Sequence, residues 1–174
     1  TPLTKYLPGN YDVGEDARLQ QITARHVLSH TPGFPNWRRQ GNPLTIHFTP
    51  GERFSYSGEG FVYLSKVIEH VTGEKFNEFM KRMVFDPLGM ADSSYVWRDA
   101  YNTQATFNHS SLGKQTGQNR STQPNAAASL RTTAQDYGRF VVAILKGTGL
   151  KKETARLMLT PQIKLSESGT NNTM

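Results

Sequence analysis

The chain has 174 residues, a net charge of +6 and no cysteine, and 36% of its residues are hydrophobic. This length is typical of one domain, and the hydrophobic content is sufficient for a folded core. The absence of cysteine excludes a disulfide framework, a zinc–thiolate site and a cysteine nucleophile, and no apolar run approaches the roughly 18 residues that a membrane span needs.

The basic residues are spread along the chain and form pairs at most, as at Arg38–Arg39, Lys81–Arg82 and Lys151–Lys152. Nucleic-acid-binding domains usually cluster their basic residues on one face. We therefore expect no nucleic-acid partner. The chain starts at Thr1 without an initiator methionine or a signal-peptide segment, and its last residues are polar. We expect residues 1–174 to be a single piece of a longer protein.

Two helices are predicted in the first half of the chain. The first begins after Thr23 as N-cap and reaches about Ser29. The second follows Ser57–Gly58 and reaches about Thr72, with Gly73 in the position that ends a helix. Its apolar residues recur at steps of three and four, which places them on one helix face: Phe61, Leu64, Ile68 and Val71.

Three further helices are predicted. The third covers residues 76–84. The fourth opens with the capping-box pattern Thr132-Thr-Ala-Gln135 and ends at Gly147, and a short fifth covers residues 151–159. The fourth helix is expected to bury five apolar residues: Tyr137, Phe140, Val141, Ile144 and Leu145.

Residues 93–130 form a long polar region without sustained periodicity, rich in Asn, Gln, Ser, Thr and Gly. Such a loop in a compact domain is usually functional or mobile. Alternating residues at 94–97 favour a short strand, or a hairpin, within it. The predicted fold class is therefore mainly α, with long loops and a short hairpin.

Four segments carry a resemblance to a known family, and they occur in the family's order. They are ITARHVLSHTPGF at 22–34, PGERFSYSGEGF at 50–61, FDPLGMADS at 85–93 and AASLRTTAQDYGRF at 127–140. Together they resemble the serine β-lactamase-related hydrolases, which include class C β-lactamases, DD-peptidases and esterases. The resemblance implies the helical lobe of the β-lactamase/transpeptidase-like fold, without most of its α/β lobe.

The resemblance also implies where the catalytic groups lie. In that family the nucleophile is the serine of a Ser-x-x-Lys helix, followed by a Tyr-x-Asn loop and, later, a Lys- or His-Thr-Gly strand. Only the middle element has a counterpart in this chain, at Tyr56-Ser57-Gly58. We therefore expect the nucleophile upstream of this piece, and we expect the isolated piece to be inactive as a hydrolase.

Tyr56 is the candidate catalytic residue. A serine hydroxyl needs a neighbouring base, and a phenol has a reference pKa near 10, which a nearby ammonium group lowers. The resemblance implies that Tyr56 moves protons between serine and leaving group, with Ser57 and Gly58 contacting substrate. The alternative is a tyrosine that only anchors a turn before a helix. Gly58 departs from the family's frequent Asn, which favours an esterase-like or otherwise uncharacterised hydrolase over a true β-lactamase or DD-peptidase.

Other motifs are weaker. Ser111-Leu-Gly-Lys114 matches Ser-x-x-Lys, but its glycine and polar surroundings argue against the required helix. His26 and His30 have the spacing of a metal-binding pair, yet neither a catalytic Glu nor a third ligand accompanies them. We expect no metal and no cofactor, and we expect His30 to hydrogen-bond backbone near Pro32–Gly33. Trp37 and Trp97 fit a pocket wall or a core position equally well.

The predicted function is part of a serine hydrolase of this family, acting on small-molecule esters or amides, including β-lactams and D-amino-acid peptides, through an acyl-enzyme. The alternative is a non-catalytic binding module derived from the same fold. We also expect an apolar face where the α/β lobe would pack, with self-association through it. A periplasmic or secreted location is implied by the resemblance alone.

Overall fold

The computed structural model describes residues 1–9 and 11–165, and the regular structure in these ranges is helical. The α-helices there are α1 Ala24–Leu28, α2 Gly58–Thr72, α3 Phe76–Met80, α4 Tyr101–Gln104, α5 Ala134–Lys146 and α6 Lys152–Met158. Short 3-10 turns cover Leu3–Lys5 and Ala17–Gln21, and α3 continues into a π-helical turn at Lys81–Phe85. The expectation of a mainly helical chain is confirmed.

The predicted strand at 94–97 is wrong. Ser94 forms an isolated antiparallel bridge with Arg131, and a second bridge joins His109 to Gln115. Neither pairing extends into a strand in the described ranges. The polar residues around them satisfy their backbone groups with side chains instead, as when Asn77 Oδ1 accepts from the Tyr95 amide.

The ends of α1 and α2 follow their capping residues. Thr23 Oγ1 accepts from the His26 amide, as expected of an N-cap. Ser57 Oγ accepts from the Gly60 amide at the start of α2, and Gly73, at φ +69°, ends it. The first helix stops one residue earlier than predicted, at Leu28, and the chain turns sharply two residues later.

Two apolar clusters form the core, and α2 connects them. The first contains Ile22, Val27, Phe34 and Tyr63, among others, and Phe61 and Leu64 of α2 pack on it. The second is built from Phe76, Phe85, Met90 and Tyr95, and Ile68 of α2 packs on that one. Val71, the last residue of the predicted apolar face, is exposed.

The N-terminus of α5 is fixed by a buried carboxylate. Asp136 is 1% exposed, and it accepts from the Asp92 amide and from Ser93 Oγ. The N-cap is Thr133, one residue after the predicted position. Thr132 is unsuited to that role because its hydroxyl pairs with Ser93 Oγ at 2.8 Å.

The predicted burial of the α5 apolar residues is largely wrong. Phe140 and Ile144 are half-buried, but Tyr137, Val141 and Leu145 are exposed, and their spacing of four residues places them on one stripe. Asp136 faces residues 92–93 on the opposite side of α5, and the stripe itself stays exposed. Self-association through it stays a prediction. Among the described helices, none combines the length and apolar character that crossing a bilayer requires.

Candidate active site

The loop 29–38 lies over the start of α2 and contains a turn at Pro32–Gly33. Gly33 has φ +86°, and a Cβ there would come within 2.6 Å of the Phe48 carbonyl oxygen. The Gly33 carbonyl accepts from the His47 amide at 2.8 Å. Only glycine fits this backbone conformation and close approach, so the turn fixes the loop against residues 46–48.

The same loop satisfies the first amides of α2. Asn36 accepts from the Gly58 amide through Oδ1, at 3.1 Å, and from the Glu59 amide through its carbonyl oxygen, at 3.0 Å. The Gly60 amide donates to Ser57 Oγ. A helix N-terminus with free amides is an anion-binding site. Here those donors are occupied, so this end of α2 does not offer them to a negatively charged reaction intermediate.

A buried ion pair holds the next part of the loop. Glu59 is 7% exposed, and Arg38 Nη2 donates to its Oε2 at 2.9 Å. The Arg38 amide donates to Glu59 Oε1, and Arg38 Nη1 donates to Asp12 Oδ2. Because the carboxylate also lies in the first turn of α2, the helix dipole favours its charge. The pair therefore fixes residues 36–38 relative to α2.

Tyr56 lies at the open side of this assembly. Its side chain is 48% exposed, and its ring stacks on the His30 imidazole with centroids 4.3 Å apart. Its hydroxyl makes no hydrogen bond within the described residues. Tyr63, by contrast, is fully buried in the first cluster. Tyr56 is thus placed where a group outside these residues can reach its hydroxyl, which a catalytic role requires.

Ser57 and Gly58 are both buried. The Ser57 hydroxyl donates to the Pro35 carbonyl oxygen at 3.1 Å and accepts from the Gly60 amide, so the fold itself occupies it. A Cβ at Gly58 would lie 2.9 Å from the Asn36 carbonyl oxygen and from Cη2 and Cζ2 of Trp37. Their contact with a substrate stays a prediction.

Asn36 is a site residue that sequence reasoning missed, and Trp37 is one whose position it left open. Trp37 covers Gly58, while 47% of its side chain stays exposed. The only signal for it in the sequence was a tryptophan shortly after the Pro-Gly turn, which left its position undecided. Asn36 carried no signal of its own, because its hydrogen bonds reach residues 22 and 23 positions away, at Gly58 and Glu59.

His26 and His30 do not share a helix face, because α1 ends before His30. His26 Nδ1 accepts from the Thr23 amide, and His30 Nδ1 accepts from the Ser57 amide at 3.1 Å. The predicted partner near Pro32–Gly33 is therefore wrong. Burial lowers the pKa of both imidazoles. In the described part of the chain, no group of three or more His, Asp or Glu side chains is arranged to hold a metal ion.

The other motifs lie in the polar region. Trp97 donates from Nε1 to Asn102 Oδ1, and Arg120 and Arg131 lie over its ring. Ser111 and Lys114 belong to a tight turn closed by the Ser110 amide and the Lys114 carbonyl. The turn is not helical, so these two side chains do not form the Ser-x-x-Lys arrangement.

Comparison with known proteins gives one consistent result. The profile of the Beta-lactamase family matches residues 1–173. Penicillin-binding protein 4* of Bacillus subtilis is 30% identical over 95 residues, which are 42% of this chain and 21% of that protein. Lovastatin esterase of Penicillium rubens is 31% identical over 104 residues, 47% of this chain and 26% of that protein.

A solved structure of a penicillin binding protein from Bacillus halodurans superposes with a TM-score of 0.71 at 24% identity, covering 96% of this chain and 57% of that one. The matches therefore span about a quarter of these curated relatives and about half of the solved chain. Since the family profile extends over almost the whole sequence, the chain belongs to the Beta-lactamase family.

Proposed function

We propose that this chain is the helical part of a serine hydrolase that cleaves ester or amide bonds through an acyl-enzyme, with Tyr56 as its proton carrier. The observation that carries the proposal is the placement of Tyr56. Its ring is half-exposed and fixed against His30, and its hydroxyl has no partner in the described residues. A hydroxyl so placed is available to exchange a proton with an incoming group.

The proposed reaction has two similar halves. The phenolate of Tyr56 takes the proton of the serine hydroxyl while the serine oxygen bonds to the substrate carbonyl carbon. The phenol then gives this proton to the departing oxygen or nitrogen, and the acyl group stays on serine. Water attacks the acyl-enzyme in the same way and releases the acid. The serine, and the lysine that favours the phenolate, are proposed to lie in the family's Ser-x-x-Lys element.

The surroundings of Gly58 favour esters with an apolar acyl group as substrates. Position 58 offers no side-chain amide, whereas Trp37 places a half-exposed aromatic surface directly over it. Asn36 partly replaces the side-chain amide that position 58 lacks. Its Oδ1 accepts from Gly58, and its Nδ2 has no partner in the described residues, so it is available to a substrate carbonyl. A relative named as an esterase agrees with this substrate class.

The test is Tyr56→Phe in the longer protein that contains the nucleophile, assayed with p-nitrophenyl butyrate and nitrocefin. Loss of a proton-transfer group lowers rates by about 10²- to 10⁴-fold, so we expect kcat/KM for the ester to fall at least 10²-fold. Tyr137→Phe is the matched control, because Tyr137 of α5 is similarly exposed at 52%. It should leave the rate unchanged.

Two results would contradict the proposal. Undiminished turnover by Tyr56→Phe would remove the catalytic role of this residue. Failure of a fluorophosphonate probe to label any serine of the longer protein, while the same protein still binds an ester analogue, would favour the non-catalytic binding module instead.

A further inference from the structure

His30 contacts all three residues around the candidate catalytic position. Its carbonyl oxygen accepts from the Ser55 amide at 2.8 Å, and its Nδ1 accepts from the Ser57 amide at 3.1 Å. Between these two bonds, its ring stacks on Tyr56 with an interplanar angle of 24°. One residue therefore fixes the backbone on both sides of Tyr56 as well as its ring.

The backbone of His30 is in an unfavourable conformation. Its φ is +55°, in the left-handed region that residues other than glycine seldom adopt. Such a conformation persists only when the surrounding contacts determine it, and it is enriched at functional sites. Here the conformation allows the carbonyl group and the ring of the same residue to reach the segment 55–57 together.

The hydrogen bond from Ser57 defines the protonation state of the imidazole. Because Nδ1 accepts from an amide, it carries no hydrogen, and the ring is neutral with its hydrogen on Nε2. The groups that face the His30 ring are Phe54 and Tyr56, from the segment just before α2, and Phe61 from α2 itself. Of these three residues, only Tyr56 has an ionisable side chain.

We infer that His30 is a positioning residue for Tyr56, that its neutral imidazole holds the segment 55–57 in place, and that protonation of this ring releases the segment. A protonated Nδ1 donates a hydrogen and cannot accept one. It would then face the Ser57 amide, which is also a donor, so the hydrogen bond between His30 and the residue after Tyr56 breaks. Burial lowers the pKa of His30, which keeps the ring neutral at neutral pH.

The inference rests on the proposed function only for its effect on catalysis, so it has a test on this chain alone. The ¹⁵N-labelled chain is titrated from pH 8 to pH 5 by NMR, following the Ser57 amide and the His30 ring nitrogens. We expect the Ser57 amide to shift with the same midpoint as the imidazole, and its hydrogen exchange to rise about tenfold on protonation. A Ser57 amide that stays unchanged while His30 titrates would overturn the inference.

Two variants distinguish the effect of the aromatic ring of His30 from the effect of its hydrogen-bond acceptor. His30→Phe keeps an aromatic ring but removes the acceptor, whereas His30→Asn keeps an acceptor and tolerates the left-handed backbone. Neither titrates, so the pH dependence of the Ser57 amide should vanish in both. His26→Asn is the matched control, because His26 Nδ1 also accepts a backbone amide but stands apart from Tyr56. It should leave the Ser57 titration intact, and the unmodified chain supplies the decisive result if a variant fails to fold.

In the longer protein, His30→Phe should lower kcat for the ester about tenfold with little change in KM, because it disturbs the orientation of Tyr56 and not the binding of substrate. The fall in kcat at acidic pH that protonation of His30 causes should be lost in His30→Asn and kept in His26→Asn. An acid limb that persists in His30→Asn would count against the positioning role. If Tyr56→Phe proves fully active, the proposed function fails, while the NMR result still decides whether His30 holds the loop.

Discussion

Replacing Gly58 by alanine tests whether Trp37 and the loop before it fit closely over α2. The added Cβ would lie 2.9 Å from the Asn36 carbonyl oxygen and from two ring carbons of Trp37. The oxygen is held by its bond from the Glu59 amide, so it cannot easily retreat. Gly58 is not among the residues with positive φ, so the cost of the substitution is steric alone.

The magnitude follows from two opposing effects. Overpacking a well-fitted position typically costs about 1–3 kcal/mol. Alanine also reduces the conformational freedom of the unfolded chain and favours the helix, which offsets up to about 1 kcal/mol. We therefore expect Gly58→Ala to lower the free energy of unfolding by about 1–2 kcal/mol. For a chain of this size that corresponds to a Tm lower by roughly 2–8 °C.

The assay is urea and thermal unfolding followed by circular dichroism. Gly138→Ala is the matched control, because Gly138 lies within α5 and a Cβ there would meet nothing within 4 Å. This control should raise stability by about 0.5–1 kcal/mol. In a double-mutant cycle, Trp37→Ala removes two of the three close contacts and should relieve part of the Gly58→Ala defect. Equal or higher stability of Gly58→Ala would show that Trp37 does not pack as described.

Two further predictions concern buried groups. The Tyr63 hydroxyl is buried without a partner in the described residues, whereas the Tyr101 hydroxyl donates to the Asp92 carbonyl. Tyr63→Phe should therefore raise the free energy of unfolding by about 1 kcal/mol, and Tyr101→Phe should lower it by about as much. Urea unfolding in which Tyr63→Phe is the more destabilising change would contradict this. Burial lowers the pKa of His26 and His30 in the folded state, so their neutral forms stabilise the fold fully above about pH 6.5, and this contribution is lost as the pH falls from there through the lower folded pKa values. His30→Asn should flatten the decline in urea midpoint between pH 7 and pH 5, and a decline as steep as in the unmodified chain would refute the assignment.

The sequence was sufficient for features that depend on local chemistry. The ends of α2 were predictable because Ser57 supplies a cap and Gly73 a left-handed terminus, and both effects act within one helical turn. The capping of α5 was misplaced by one residue, since the choice between Thr132 and Thr133 depends on Ser93, which is 39 positions away in the chain. The burial of α5 failed for a related reason. Periodicity identifies an apolar stripe, but it does not say which element covers that stripe.

The candidate site shows the same difference between local features, which the sequence predicts, and long-range contacts, which it does not. Tyr56 was singled out through a motif of adjacent residues, whereas the hydrogen bonds of His30 to Ser57 and of Asn36 to Gly58 span 27 and 22 positions. Their partners are backbone amides, which almost every residue carries, so no residue type in the sequence marks them. For that reason the spacing of His26 and His30 did not indicate the actual bond, which joins His30 to the residue after Tyr56.

Under the proposed function, the described residues would supply one part of the machinery that acyl transfer needs. A nucleophile, a proton carrier and donors to the developing oxyanion are all required. The first amides of α2 are occupied by Asn36 and Ser57, so they cannot serve as those donors. The ring of Tyr56, in contrast, is fixed against His30, and its hydroxyl has no hydrogen-bond partner among residues 1–9 and 11–165. Under the proposed function, the loop contacts would fix the orientation of Tyr56, so that its hydroxyl can meet the serine and lysine of the Ser-x-x-Lys element, whereas the occupied amides of α2 would take no part in binding an anion.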